Sequence, residues 1–466
     1  MKSMKVDKKS IGFLAGLLVC FAVWLLPIEG LPQAGQRCLA MSLMAVIWWA
    51  TGAMHPGFSS LAMLLGFVLF LPKDIVPNSL IFNLWTTQTI YLVIGGFLLA
   101  GAVRASGLGQ RMALLMVQKT VRSFRGIIVA CYVLGFLLSF FIPHPWPRSF
   151  LLMSIMAHVI SASKLEKKYA VQIGLAVFVG SIPTAMILFT GDSTLNPVIG
   201  DFASTPVSWL SWLLYMGVPG ILASLLTCGV QLLLFRGPKE FHLNMDEIKT
   251  LQRDMGVMGT QEKKVLAVTL FVVLLWATDS LHGIAPGWIA ILAVLLLACP
   301  LVGVIDVKAW SNINLGTLFF LTAALAIGSV GAATGMNVWV VDKLLPAAPP
   351  SSPLLFALLV VGICVPLHMM LGSTLAVIGI AAPALVTFGS QMGLPGLVPA
   401  MLVYIAVALH WLLPFHHMNL LVGVGEDGGG YGNAEIFKFG LVQTLVVVMV
   451  AMFAIFWWGW VGLYPL

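Results

Sequence analysis

Charge is scarce in this chain. Asp, Glu, Lys and Arg make up 9% of its 466 residues, 60% are hydrophobic, and the mean hydropathy is +1.02. That scarcity excludes a soluble globular domain, and apolar runs of about 15–20 residues recur from end to end. Paired cysteines are absent too: positions 20, 38, 131, 228, 299 and 364 stand singly in apolar runs, with no CxxC and no disulfide framework, so they read as packing residues. No HExxH accompanies the histidines, and adjacent histidines on a helix point about 100° apart. The residues therefore imply no metal and no other cofactor, and an intramembrane metalloenzyme stands only as the alternative of a different class. The stretch Gly425 to Gly430, "GEDGGG", lacks the Lys-Ser/Thr of a phosphate-binding loop and reads as a cytoplasmic loop. The segment 236–263 is too short for a nucleotide-binding domain, which argues against an ATP-driven pump. The net charge of +7 is spread over short loops, not gathered into a nucleic-acid footprint.

What is present is an all-α polytopic membrane protein of about 11 transmembrane helices, at 11–27, 38–54, 57–71, 84–103, 170–190, 208–235, 264–281, 286–305, 315–334, 396–414 and 439–462. The first run has no small-x-small cleavage site before Pro27 and reads as a span, not a signal peptide. With a cytoplasmic N-terminus, and with 126–163 and 353–390 each crossing an even number of times, 20 of the 24 Lys and Arg fall inside. Arg37, Lys73 and Lys343 fall outside, and Arg148 falls in neither compartment. An odd number of crossings would put either the basic 236–264 loop or the basic N-terminus on the wrong side.

The piece 126–163 therefore reads as a re-entrant hairpin. Arg122 and Arg125 flank one end, Lys164, Lys167 and Lys168 the other, and the Pro-His-Pro-Trp-Pro-Arg tip (143–148) lies at membrane depth. An arginine at the midplane costs roughly 2.5–3.5 kcal/mol or more, so Arg148 demands a partner. Two readings stand side by side. Arg148 grips the anionic substrate, its guanidinium fork suiting a carboxylate or sulfate; or it forms a structural salt bridge to Asp192. The two can alternate, with Asp192 holding Arg148 while the site is empty, and protonation of Asp192 freeing it.

The chain also repeats. "TIYLVIGGFLLAGAVRASGL" (89–108) lines up with "TLFFLTAALAIGSVGAATGM" (317–336), and a register of about 223 matches Pro143 with Pro366, Asn196 with Asn419 and Gly200 with Gly423. The second hairpin is then 353–390, with its tip near Leu367 to Thr374. Five spans lie between the hairpins, so they enter from opposite faces and form an inverted repeat, an architecture of secondary transporters. The domain division is 1–235 for the N-terminal half, 236–263 for a cytoplasmic linker and 264–466 for the second repeat. Two spans are broken, by "GDSTLNPVIGDF" (191–202) and "FHHMNLLVGVGED" (415–427). A half-helix starting near Ser193 or His416 would point its positive end at an anion.

This layout resembles the divalent anion/sodium symporter family over nearly the whole chain. "WWATGAMHPGFSSLAMLLGFVLFLP" (48–72) is similar to the family's W-x-x-T-E-A-I-P segment, with Gly52 where the glutamate usually stands; "IGGFLLAGAVRASGLGQRMAL" (94–114) is the closest stretch. The family's Ser-Asn-Thr tips are replaced by Arg148-Ser149-Phe150 and Gly372-Ser373-Thr374, and its broken-helix turns by Ser193-Thr194-Leu195-Asn196 and His416-His417-Met418-Asn419. The resemblance implies a homodimeric elevator carrier. Spans 1–3, 6 to 8 and 11 would form the scaffold, and the hairpins and broken helices would move. The resemblance implies hydroxyls and amides at the tips gripping substrate carboxylates beside two sodium sites; with Arg148 and His417 added from the residues themselves, the expected substrate-binding set is Arg148, Ser149, Ser193, Thr194, Asn196, Ser373, Thr374, His417 and Asn419. The altered tips turn the coupling away from sodium, with Arg148 supplying as a fixed charge what a bound sodium supplies in relatives.

Imidazoles near an arginine and a helix N-terminus titrate where a proton-coupled carrier works. With Asp192, His144 and His416 are the coupling candidates, while His158, His282 and His410 read as packing residues. The function expected is secondary active transport of small di- or tricarboxylates or a related divalent oxyanion such as sulfate. Protons or a counter-anion are favoured over sodium for coupling. The alternatives are a sodium-coupled dicarboxylate/sulfate symporter and an uncoupled anion channel or uniporter. The N-terminus is not transit-like, which fits a bacterial inner membrane.

Overall fold

The computed structural model describes residues 7–346, 348–425 and 428–465. Lys2 and Lys5 of the basic N-terminus, and Glu426 and Asp427 of the Gly425–Gly430 loop, lie outside the described residues. Helices α1 (Lys8–Leu25), α2 (Gln33–Thr51) and α3 (Pro56–Phe70) lead into α4 (Gln88–Ser106) and the short α5 (Leu108–Thr120). A helical pair follows, α6 (Phe124–Ser139) and α7 (Pro145–Ala162), then α8 (Lys167–Ala185), the single turn α9 (Asn196–Gly200) and α10 (Trp209–Leu234). Beyond α11 (Met245–Asp254) come α12 (Thr260–Ala277), α13 (Pro286–Ala298), α14 (Leu315–Ala333) and the short α15 (Met336–Leu344). A second pair, α16 (Pro353–Leu371) and α17 (Thr374–Ser390), precedes α18 (Leu397–Ala408), the single turn α19 (Met418–Leu421) and α20 (Asn433–Trp460). The protein is an all-α polytopic membrane protein. Among the described residues, α4, α10, α14, α16 and α20 are long and apolar enough to cross a bilayer unaided, and six further apolar helices are shorter.

Helix ends correspond between the two halves more closely than the amino-acid identities do. Gly107 and Gly335, at φ 80° and 78°, each separate a long helix from a short one. Ser123 caps α6 and Ser352 caps α16, each side chain accepting a backbone N–H three residues on; His144 caps α7 and Ser373 caps α17. On this register Pro143 stands opposite Gly372, and Pro366 falls inside α16. An offset of about 223 holds only at the breaks, at Asn196 with Asn419 and Gly200 with Gly423, because the stretch from hairpin tip to break is shorter in the second half.

The proline-rich tip does not turn as a unit. The turn lies between Ser139 and His144, and Pro145 and Pro147 occupy the first turn of α7, where a missing N–H costs nothing. Arg148 is thus helical. The half-helices expected near Ser193 and His416 shrink to single turns, each preceded by a 3₁₀ segment, Phe189–Gly191 and Pro414–His416. So short a helix has little dipole, and the breaks present separate N–H groups, not a helix terminus.

Packing regroups the spans. α10 and α20 pack on each other and on α8, α16 and α18, so they sit with the helical pairs and the broken helices, not with α1–α3. α1–α3 pack among themselves and on α14, while α4 and α12 both pack on α13. One cause is a proline. Pro219 lacks the N–H that the Tyr215 carbonyl would accept, the helix passes through a π segment at Leu213–Gly217, and the indole N–H groups of Trp457 and Trp458 donate to Leu214 and Tyr215 at 2.7 and 2.8 Å. Trp209 and Trp212 likewise donate inward, to Thr190 Oγ1 and the Met186 carbonyl. These tryptophans are internal donors, and Trp460, 71% exposed, is the one of the group that faces outward. A tryptophan near a span's end looks the same in sequence whether its N–H meets a headgroup or a carbonyl. On α5, Arg111 grips Glu262 through two nitrogens at 2.7 and 3.0 Å. This pairing holds the Glu262 carboxyl below its ordinary range. The clamp is therefore complete above a glutamate's usual pKa of about 4.3 and is lost as pH falls through the lowered value.

Trp458→Phe should cost about 1–3 kcal/mol, read as a lower melting temperature in detergent, and Trp460→Phe should cost less than about 0.5 kcal/mol. Equal melting temperatures for the two variants would mean that the indole bond does not hold α20 on α10.

Candidate functional site

A cavity of about 570 Å³ opens where both helical pairs and both broken helices converge. One wall comes from α2, α3 and α14, with Trp49, His55, Thr317 and Phe320. The opposite wall is built from His144 and Trp146, from Asp192 and Thr194, from Ser373 and Thr374, and from Phe415, His416 and His417. Of the residues singled out in the sequence, Thr194, Ser373, Thr374, His417, Asp192, His144 and His416 thus meet in one space. Arg148, Ser149, Ser193, Asn196 and Asn419 lie behind its wall.

The histidines share one device. His55 and His144 are each the N-cap of a helix whose next residue is proline, and each ring Nδ1 accepts a backbone N–H, from Gly57 and Trp146, both at 3.2 Å. His417 Nδ1 accepts from Asn419 N at 3.2 Å, and His416 Nδ1 accepts from Leu412 and Leu413 at 2.9 and 3.1 Å. An N–H can donate only to a lone pair, so all four rings have bare Nδ1 atoms and carry their proton on Nε2. The cavity is lined by imidazoles fixed as Nε2–H donors. His55 was missed from sequence, although His55-Pro56 repeats the His144-Pro145 pattern.

The residues behind the wall tie the break together. Arg148, 0% exposed, donates to the carbonyls of Ile142, Gly191 and Ser181 at 3.2, 3.1 and 3.3 Å, and its Nε has no partner. The sequence-level alternative of an Arg148–Asp192 salt bridge does not occur in this structure. Asp192 Oδ1 accepts instead from the N–H groups of Thr194 and Leu195 at 2.9 and 3.1 Å. The arginine ties the tip turn (Ile142) and α8 (Ser181) to the break (Gly191), and the aspartate satisfies amides of the break. Asn196 Nδ2 donates to Ala185 and Leu188 carbonyls at 2.9 and 2.8 Å, Ser149 donates to Asn419 Oδ1 at 3.2 Å, and Asn419 donates to the Phe178 carbonyl at 2.6 Å. Ser193 Oγ is buried without a partner, while its backbone N–H reaches the Pro143 carbonyl at 2.9 Å. Among the described residues, no cluster of three or more His, Cys, Asp or Glu could hold a metal ion.

Residues 7–464 match the family described as the sodium:sulfate symporter transmembrane region. The chain belongs to this family. It is therefore a membrane transporter, not an enzyme, and the divalent anion/sodium symporter resemblance of its motifs extends to nearly the full length. A protein of Cupriavidus necator described as a membrane protein is 25% identical over 97% of this chain and 93% of its own length. The sodium-dependent dicarboxylate transporter SdcS of Staphylococcus aureus is 25% identical over 74% of this chain and 72% of its own. Among solved structures, the Alcanivorax borkumensis YdaH transporter superposes with a TM-score of 0.52 at 13% identity, covering 83% of this chain and 88% of that one, a likeness of fold alone.

Arg148→Lys leaves one ammonium among three carbonyls and should cost about 1–3 kcal/mol. The loss is expected as a lower melting temperature in detergent with no anion added. Unchanged melting together with lost anion binding would make the side chain a substrate ligand instead of a clamp.

Proposed function

We propose that the chain is a secondary active transporter of small carboxylates. It would work as a homodimer in a bacterial inner membrane with its N-terminus in the cytoplasm, by elevator-type alternating access between inverted repeats. The cavity supports this reading: one wall belongs to α2, α3 and α14, the other to the helical pairs and breaks, so sliding of one wall past the other would expose the anion to alternate faces. Nε2–H donors and the hydroxyls of Ser373 and Thr374 suit carboxylate oxygens. The apolar walls at Trp49, Phe320 and Phe415 suit a carbon skeleton, which favours a dicarboxylate over sulfate. The dicarboxylate class is that of the Staphylococcus relative.

Its sodium dependence is not carried over. The observation behind that choice is Arg148, whose guanidinium takes backbone carbonyls of the tip turn, of α8 and of the first break, and a freed carbonyl such as Gly191 is the kind of oxygen that coordinates sodium in broken-helix transporters. A fixed charge there supplies what a bound cation would.

The test is uptake of labelled succinate, citrate and sulfate into proteoliposomes, with sodium present or replaced throughout by potassium. Succinate transport that changes less than about twofold on replacement is the expected result. A strict sodium requirement would mean that a cation site survives beside Arg148.

A further inference from the structure

His368 on α16 and His410, just past α18, are both fully buried, and their Nδ1 atoms stand 3.3 Å apart. His368 Nε2 lies 2.8 Å from the carbonyl oxygen of His416. That contact decides the tautomers. A carbonyl only accepts, so His368 carries its proton on Nε2 and offers a lone pair at Nδ1. His410 must then donate from Nδ1, which leaves His410 Nε2 a bare lone pair, buried and without a partner. One nitrogen in this pair is built to receive a proton and receives nothing else.

The surroundings set the terms on which a proton can stay. Ring centres of His368, His410 and His416 form a triangle with sides of 5.5, 5.6 and 5.9 Å. The charged or titratable groups that reach the pair are His416 and His417, both cavity residues whose Nδ1 atoms are taken by backbone amides. Among the helices packed on the pair, α2 carries Arg37 and Cys38, α16 Cys364, α17 no ionisable residue, α18 Tyr404, and α20 Glu435 and Lys438 in its first turns. No carboxylate therefore faces the pair, and an imidazolium there would lack a counter-charge. An anion in the cavity, held beside His416 and His417, would provide one.

We propose that the His410–His368 pair is the coupling-proton site of this transporter, loaded at His410 Nε2 when a carboxylate occupies the cavity. The proposal rests on the carboxylate-transporter reading. Proton and anion stabilise each other across His416, and by linkage each raises the affinity for the other. A proton arriving on His410 Nε2 can pass through the Nδ1–H···Nδ1 contact to His368, with no bond made or broken except N–H. Burial of both rings means that loading requires a conformation other than this one, as alternating access demands.

The test uses the full-length protein in proteoliposomes with labelled succinate, citrate and sulfate in parallel. His410→Asn keeps a donor toward His368 but cannot take a proton; His368→Gln keeps a donor toward the His416 carbonyl. For wild type, an inward gradient of one pH unit should drive accumulation of up to about tenfold for one proton per anion. Both variants should still exchange internal for external anion at equal pH, within about threefold of wild type, and lose the gradient-driven accumulation. Proton-driven accumulation retained in His410→Asn would overturn the proton site and leave the transporter reading intact. Exchange lost in both variants would make the pair structural and equally overturn the proposal. Failure of wild type to exchange any of the three anions would overturn the transporter reading, and the proton site with it.

Discussion

Every backbone N–H and C=O at membrane depth must find a partner within the protein, because no water is there to take it. Each break in this chain is a place where that rule is strained, and the polar side chains of the buried interior are distributed by it. Arg148 takes the carbonyls of Ile142 in the tip turn, Ser181 in α8 and Gly191 at the first break, Asp192 takes two amides of that break, and Asn196 takes two more carbonyls. In the second break the imidazoles of His416 and His417 take the amides of Leu412, Leu413 and Asn419. The same rule reaches α10, where indoles of α20 serve the carbonyls before Pro219.

Satisfying the backbone also shapes the chemistry of the cavity. An imidazole that caps with Nδ1 has only Nε2–H left to offer, so structural duty turns His55, His144, His416 and His417 into donors without a net charge. Neutral donors can hold an anion yet release it, which a carrier needs at each turnover. Close packing fixes the arrangement: a Cβ on Gly440 would collide with the Trp411 carbonyl, so α20 lies directly against the chain just after His410.

The sequence conveyed the spans, the helical pairs and the breaks because hydropathy, proline and glycine encode them locally. It also pointed to seven residues that line the cavity. It could not tell which of two partners a side chain would choose. Arg148 and Asp192 are opposite charges in neighbouring elements, and pairing them was a natural reading; only geometry reveals that each faces backbone groups instead. His410 read as packing because its partner lies 42 residues away on another helix. The grouping of α10 and α20 with the helical pairs was likewise hidden, since an apolar helix does not say which apolar neighbour it meets. His55 was legible in principle from its His-Pro pattern.

The central claim is that backbone capping fixes the ring tautomers. Solid-state 15N NMR of histidine-labelled protein in lipid reads it directly, with resonances assigned by single-histidine variants. His144, His416 and His417 should show protonated Nε2 and bare Nδ1, and His410 the opposite tautomer. Protonated Nδ1 at His416 or His417 would contradict the capping account and, with it, the donor character assigned to the cavity.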